Sequence, residues 1–439
     1  MEGVFVLEIC KVMKLCLKKL SDKDAAKFMA VSICFRDACN FESQYVFDNG
    51  FPLNALYLQE CLYQTVREKF GLKSQMAISV FKTVVARYKA VQTQMEKEPY
   101  KYRDENGKWV YIERTLEWLW YPIRFKKPQC DLVSGRDWSF AKGKLSINTL
   151  EDRVKAACER PFCYEKYFDG TWKFTTAKLV KKGKYWYLHV SVTKEAPDTF
   201  DRYEPSHITG IDRGIRNEET IYDEEGKTTF ISGKEDAKRR EQFLKTRAEL
   251  QSRGTKSAKR VLKRISGREN RWMTDKNHKS SKTLCEKYQN NTLYTLEDLT
   301  GVSFSEENLS RRDAAGRYEL RSWPFYQFEE FLTYKAHERG SEVVKVKANY
   351  TSRRCPHCGR IRKENRNHEK HENVCDWCGF RTNDDRLGSM NIFVLGERYS
   401  HGEDEPEFVF QKPEKTQTVK STLEVIEPST QHVSPEKDA

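Results

Sequence analysis

No stretch of this 439-residue chain is apolar for long enough to cross a bilayer. Its most apolar opening, Val4 to Leu7, is punctuated by Glu2, Glu8, Lys11 and Lys14 and leads to no small-residue cleavage site. Neither a membrane anchor nor a secretory leader is therefore expected, and an intracellular location follows. A disulfide framework is missing too. The thirteen cysteines are odd in number, and nine of them are scattered without regular spacing, as suits a reducing compartment. Acid is not in excess: 78 Lys+Arg against 65 Asp+Glu leave +13 and a pI near 9.0, which fits a polyanionic partner without naming it. A chain this long should hold more than one domain.

The remaining four cysteines are regular. Cys355-Pro-His-Cys358 and Cys375-Asp-Trp-Cys378 are two Cys-x-x-Cys knuckles, spaced for a four-thiolate zinc ribbon. Gly359 and Gly379 follow the second cysteine of each, where a tight turn helps aim both sulfurs at one ion. Disulfides are the alternative, and the reducing composition argues against them.

Three acids lie on separate predicted elements. His207-Ile-Thr-Gly-Ile-Asp212 alternates as a strand, and Gly214 permits a turn into a second strand, Glu219 to Tyr222. Thr292 to Glu297 is another strand, with Glu297 on the face of Leu293 and Thr295 while Asp298 points away. Asn383 can cap a helix through Leu387, Met390 and Val394, which puts Asp385 in its first turn. Singly, each acid reads as a solvated or capping residue. Together, Asp212, Glu297 and Asp385 have the chemistry to hold two Mg²⁺ ions about 4 Å apart.

Residues 21–100 carry apolar residues at helical spacing, opened by Ser21-Asp-Lys-Asp24 as a capping box. Residues 101–200 turn to strands: Trp109 to Ile112, Trp120 to Phe125, Leu145 to Thr149, and a hairpin from Trp172 to Thr193 predict a small β-barrel. Lys and Arg interleaved with Trp and Tyr there suit a surface that follows phosphates and stacks bases. Beyond Arg202 strand and helix alternate as an RNase-H-like α/β core. Lys234 to Lys287 holds 18 Lys+Arg against 7 Asp+Glu and reads as two long helices joined near Gly254. Phosphate contact explains so large an asymmetry better than a solvated face does. Arg260, Arg264, Arg268, Arg271, Lys276 and Lys279 are its candidate contacts. The tail from residue 397 is poor in apolar residues and is expected to be disordered.

Taken in order, these motifs resemble the TnpB family, the insertion-sequence-encoded RNA-guided nucleases related to compact type V CRISPR effectors. The resemblance rests on Gly210-Ile-Asp-Arg-Gly214, Arg268-Glu-Asn-Arg-Trp272 with Asn277-His-Lys-Ser280, and Leu296-Glu-Asp-Leu-Thr-Gly-Val302. It continues through Ser322-Trp-Pro-Phe-Tyr-Gln327, Tyr350-Thr-Ser352, the two knuckles, and Asn383-Asp-Asp-Arg386 to Asn391-Ile392. Arg213, where the family commonly has an apolar residue, and Gly388-Ser389, where it commonly has two alanines, depart from the pattern.

The resemblance implies a RuvC-like nuclease core over 201–350, interrupted by the basic helices 234–287, a zinc ribbon over 351–382 and a last RuvC segment over 383–396. It also implies an N-terminal strand or extension (1–20), a helical recognition lobe (21–100) and a wedge β-barrel (101–200). By the resemblance, Asp212, Glu297 and Asp385 carry catalytic Mg²⁺ and the four cysteines carry structural Zn²⁺. A guide RNA would pair with target DNA, in a bacterial or archaeal cytoplasm at the nucleoid. The expected activity is RNA-guided DNA cleavage for a transposable element. A CRISPR effector of the same architecture and a non-cleaving DNA-binding regulator are the alternatives, the last disfavoured because all three acids are present.

Overall fold

Ile9, Met13, Leu15 and Leu17 alternate with exposed residues along Glu8–Lys18, and this period of two makes the segment a strand, β1, with one face buried. The computed structural model describes residues 8–141, 144–300, 310, 316–318, 325–367 and 369–410. They form two compact units, Met1–Asp198 with His337–Gly340, and Thr199–Ala336 with Ser341–Ala439.

In the first unit β1 leads into three helices, α1 (Asp22–Asp48), α2 (Ala55–Phe70) and α3 (Ser74–Lys97). The Ser21 hydroxyl accepts from the Asp24 N–H at 3.1 Å and donates to Asp24 Oδ2 at 2.7 Å, so Ser21 caps α1, with Asp24 bonded to its hydroxyl rather than to its backbone. Gly71 ends α2 in the left-handed conformation, φ +63°. Phe28, Phe35, Val80, Phe81 and Tyr88 bury the faces these helices share.

Eight further strands follow: β2 (Tyr100–Arg103), β3 (Trp109–Ile112), β4 (Gln129–Val133), β5 (Trp138–Ala141), β6 (Lys144–Asn148), β7 (Arg153–Glu159), β8 (Lys173–Lys182) and β9 (Tyr185–Glu195). Seven of the unit's strands form one sheet in the order β4-β8-β9-β1-β7-β6-β5. Its two edge strands are consecutive in the chain and joined only by residues 134–137. A flat sheet would hold those edges about 29 Å apart, at about 4.8 Å per strand, so the sheet curls back on itself. β1 sits centrally, paired with both β9 and β7.

Two expected strands are not part of this sheet. Trp109 to Ile112 pairs only with β2, as a separate hairpin whose residues are mostly exposed. Trp120 to Phe125 is not a strand. Pro122 cannot donate to a ladder, and the Ile123 and Phe125 N–H groups donate instead to the Tyr88 hydroxyl (3.2 Å) and the Asn40 side chain (2.7 Å).

The second unit is built on β10 (His207–Asp212), β11 (Asn217–Asp223), β12 (Thr228–Ser232), β13 (Thr292–Glu297) and β14 (Glu342–Val346), in the order β12-β11-β10-β13-β14. β12, β11 and β10 form an antiparallel meander, while β10, β13 and β14 run parallel. Between β12 and β13 lie α4 (Lys234–Arg253), α5 (Lys256–Ile265) and α6 (Arg268–Tyr288). Two long helices were expected. The second is broken at Gly267, whose φ of +70° interrupts the helical path. α7 (Phe325–His337) precedes β14. Leu284 and Tyr288 of α6 and Phe328 and Leu332 of α7 pack on Ile211, Tyr294 and Leu296, covering one face of the sheet.

β15 (Arg366–Asn367), β16 (Glu372–Val374) and β17 (Arg381–Asn383) form a small antiparallel sheet carrying the second knuckle, and α8 (Asp384–Ser400) follows at once. α8 covers the other face of the large sheet at a distance only glycine permits. A Cβ on Gly210 would come within 2.2 Å of the Ser389 carbonyl oxygen and 2.3 Å of the Phe393 nitrogen. A Cβ on Gly396 would lie 2.3 Å from Thr295 Oγ1. α8 outruns the expected boundary at 396. Phe408, in the expected disordered tail, is buried with Val346, Ile392 and Leu395. A polar stretch needs only one such anchor to be held. Residues 411–439 of that tail, Gly301 and Val302 of the second motif, and Ser322 to Pro324 lie outside the described residues.

Because the obstructing atoms beside Gly210 are backbone, Gly210→Ala should lower stability by about 1–3 kcal/mol, read as a lower urea midpoint at unchanged slope. Gly226→Ala, in a surface turn, should be milder.

Candidate functional site

The in-register pairing of β10 with β13 sets the positions of the first two acids. Ile211 lies opposite Leu296 on the α6–α7 face. One residue further along, Asp212 and Glu297 therefore share the α8 face, at the carboxyl ends of neighbouring parallel strands. α8 supplies the third. Asn383 caps it, accepting from the Asp385 and Arg386 N–H groups at 3.0 and 3.1 Å, so Asp385 stands in its first turn. The helix is so close that a Cβ on Gly388 would lie 2.6 Å from Asp212 Oδ2. Glycine at this position leaves Asp212 that space.

All three acids are half-buried. Burial, then the nearby charges of Glu297 and Asp385, hold the Asp212 carboxyl well above the usual carboxylate range. Burial also raises Glu297, against the hydrogen bond from Thr351. The donor atoms are wider apart than the zinc-type cluster described below: among the described residues only the four cysteines bring such atoms all within 4.8 Å of one another.

Other side chains orient these acids. Asn217 Nδ2 donates to Asp385 Oδ2 at 2.7 Å. The Thr351 hydroxyl donates to Glu297. Arg213 is buried; it donates to the Glu297 carbonyl at 2.6 Å and lies 3.6 Å from Glu329. Arg366 holds the buried Asp384 at 3.0 Å, whereas among the described residues Asp385 has no arginine partner. Thr351 and Arg213 lie in motifs legible in the sequence, though without a role. Nothing in hydrophobic period or spacing marks Asn217 or Arg366.

The two knuckles fold alike. Cys355 and Cys375 N–H groups donate to Arg360 and Phe380 carbonyls, at 2.8 and 2.9 Å, and Gly359 and Gly379 N–H groups return to the cysteine carbonyls. Both glycines have positive φ, +77° and +71°. Sulfur separations are 3.6 Å for Cys355–Cys378 and 3.5 Å for Cys358–Cys375. Zinc with bonds of about 2.3 Å sets sulfurs about 3.8 Å apart in a tetrahedron, so the donor set fits Zn²⁺. Burial opposes ionisation of Cys375, but the Cys378 and Trp377 N–H groups bring its thiol down to about 7. Asp376 clamps the site from outside, accepting from Arg360 twice at 2.8 Å and from Asn365 at 3.1 Å. Asn391 of α8 is fully buried and donates to the Thr351 and Arg354 carbonyls, at 2.8 and 2.7 Å, which ties the first knuckle to the helix bearing Asp385.

The basic helices divide the candidate phosphate contacts. Arg260, Arg264, Arg268, Arg271 and Lys279 are exposed. Lys279 pairs with Asp275 at 2.7 Å on the surface. Lys276 is a correction: its ammonium is held by Glu218 and the buried Asp236, which neutralise it within the fold.

One zinc per chain is expected by metal analysis of the purified protein. Cys375→Ser should lower that stoichiometry and loosen 350–385 in hydrogen exchange.

Comparison with known proteins identifies the family. Residues 189–300 match the OrfB_IS605 family, described as a probable transposase, and residues 325–392 match the family described as Cas12f1-like, TNB domain. A CRISPR-associated endodeoxyribonuclease Cas12f1 of Syntrophomonas palmitatica is 25% identical over 251 residues, 53% of this chain. The match spans only 48% of that relative's length. The Cas12f1 chain of a Cas12f1–sgRNA–target DNA complex solved by cryo-EM shares the fold, with a TM-score of 0.56 at 14% identity over 88% of this chain and 98% of that one. A TnpB-like protein of Methanocaldococcus jannaschii is 31% identical over 208 residues, covering 45% of this chain and 71% of its own. With nearly a third of positions shared over most of that relative, the chain belongs to the TnpB-like protein family.

Proposed function

We propose that this chain is an RNA-guided DNA endonuclease of a transposable element, hydrolysing phosphodiesters at Asp212, Glu297 and Asp385. The observation that carries the reading is the in-register pair Asp212 and Glu297 on one sheet face, beneath the helix turn that bears Asp385. The meander joined to two parallel strands is compatible with an RNase-H-like, RuvC-type core, and the curled seven-stranded sheet with a wedge barrel. The relatives named as endodeoxyribonucleases support the reaction class.

The three acids would hold two Mg²⁺ ions. When bound, such ions supply an activated water and stabilise the leaving 3′ oxygen. The protein's part is positioning. Asn217 fixes the Asp385 carboxylate, Thr351 fixes that of Glu297, and Arg213 braces the backbone behind it. Burial and neighbouring acids disfavour charge on Asp212 and burial disfavours it on Glu297, a penalty that a bound cation would relieve. Arg260, Arg264, Arg268 and Arg271 offer exposed charge to a phosphate backbone. Guide RNA would read the target by base pairing, as in RNA-guided recognition generally. A compact type V CRISPR effector is the second reading, favoured by the match to the Cas12f1-like family over 325–392. Neighbouring sequence separates the two: a CRISPR array supports the effector, a transposon end with a noncoding RNA the first reading.

Asp212→Ala should abolish cleavage of target DNA, at least about 10³-fold, while guide-dependent binding stays within a few-fold in a gel-shift assay. Cleavage at the parental rate removes Asp212 from the site.

Raised carboxyl groups also give a stability signature. Without divalent metal the folded chain holds protons on Asp212 and Glu297 that the unfolded chain has released, so its stability falls as pH rises above the ordinary carboxylate range. Mg²⁺ should raise the thermal midpoint increasingly as pH climbs through that window, for the parent chain and not for Asp212→Ala.

A further inference from the structure

β2 and β3 form a hairpin that neither core absorbs. Eight of the nineteen large apolar side chains exposed among the described residues fall within 100–121, and seven of those eight are Tyr or Trp. Trp120 and Tyr121 are 88% and 79% exposed. A patch so concentrated marks an interaction surface rather than scattered surface apolarity.

The register divides the hairpin into two faces. Tyr100 opposes Ile112 and Tyr102 opposes Val110, so these four share one face. There the rings of Tyr100 and Tyr102 lie 6.1 Å apart, and that of Trp118 lies 5.8 Å from Tyr100. On the other face Lys101 opposes Tyr111 and Arg103 opposes Trp109. Lys101 and Arg103 both lie over the Trp109 ring, at 5.6 and 4.9 Å. Among the described residues the interactions of both cations are with this ring rather than with a carboxylate. Flat rings interleaved with unneutralised cations match the alternation of bases and phosphates along an unpaired strand. A phosphate chain offers bases to the rings and neutralises both cations along the same strand as it docks.

We propose that this hairpin is a stacking platform for unpaired nucleotides of the guide RNA, with Trp109 and Tyr111 contacting bases and Lys101 and Arg103 contacting phosphates. The proposal rests on the RNA-guided reading above. RNA is the occupant because an aromatic surface this exposed needs a resident cover, and a guide stays bound between targets whereas DNA comes and goes.

The test uses the full chain. RNA copurified from the native locus is cross-linked by ultraviolet light and the attached peptides are mapped; adducts within 100–112 are expected. In parallel, anisotropy with an unstructured oligouridylate compares the parent with Trp109→Ala/Tyr111→Ala. That variant should bind at least about 30-fold more weakly, as two lost stacks imply, at an unchanged thermal midpoint. Lys101→Gln/Arg103→Gln should reduce the salt dependence of that binding by about two phosphate contacts. Unchanged oligouridylate affinity in both variants overturns the proposal. So do adducts confined to DNA, or a loss of self-association in place of RNA binding. If no RNA copurifies and no target is cut, the RNA-guided assignment fails as well. The oligouridylate measurement then judges the hairpin by itself.

Discussion

The contact between α8 and the large sheet is the constraint on which the candidate site depends. Three glycines make it: Gly210 on the central strand, and Gly388 and Gly396 on the helix, eight residues and so about two turns apart on one stripe. Where a Cβ would meet backbone or a carboxylate oxygen, the helix lies directly on the strands. That closeness sets Asp385 against two acids brought from distant parts of the chain. With larger residues the helix would ride higher, and three side chains as short as Asp and Glu would lose their common focus.

Electrostatics then distinguishes residues the sequence presents as equals. Asp384 and Asp385 are adjacent, yet the first is buried against Arg366 while the second stays half-exposed and is steered by an amide. Asp212 receives some relief from Arg366, but burial and the charges of Glu297 and Asp385 outweigh it. Its neighbours are acids, its surroundings are dense, and its proton is held accordingly. An arrangement that raises carboxyl pKa values has no merit for folding alone, which is why it reads as functional. Arg213 provides the counterweight by placing buried positive charge behind Glu297 without occupying the open side.

Much of this was legible in advance, and the reasons are physical. A period of two assigns Glu297 to a face, two Cys-x-x-Cys knuckles prescribe their own turns, and an Asn ahead of an apolar period caps a helix. What escaped depended on tertiary partners. Lys276 looks like any lysine of a basic run, and only folding brings Glu218 and Asp236 to it. Trp120 to Phe125 has strand-like composition, but its backbone groups are captured by helix side chains 35 and 85 positions away. The break at Gly267 was hidden because one glycine in a charged helix is tolerable by propensity. Phe408 shows the converse: a single ring in a polar stretch found a core that composition could not foresee.

The place of β1 at the centre of its sheet bears on how the chain is made. Its partner β9 ends at Glu195, so a nascent chain leaving the ribosome carries β1 unmatched while well over a hundred further residues are added. At ordinary elongation rates that interval is on the order of ten seconds. Throughout it, the strand that carries Ile9, Met13, Leu15 and Leu17 lacks its long neighbour β9. Translation cut short before β9 emerges yields a product with helices but no closed sheet, a natural client for chaperones and proteases.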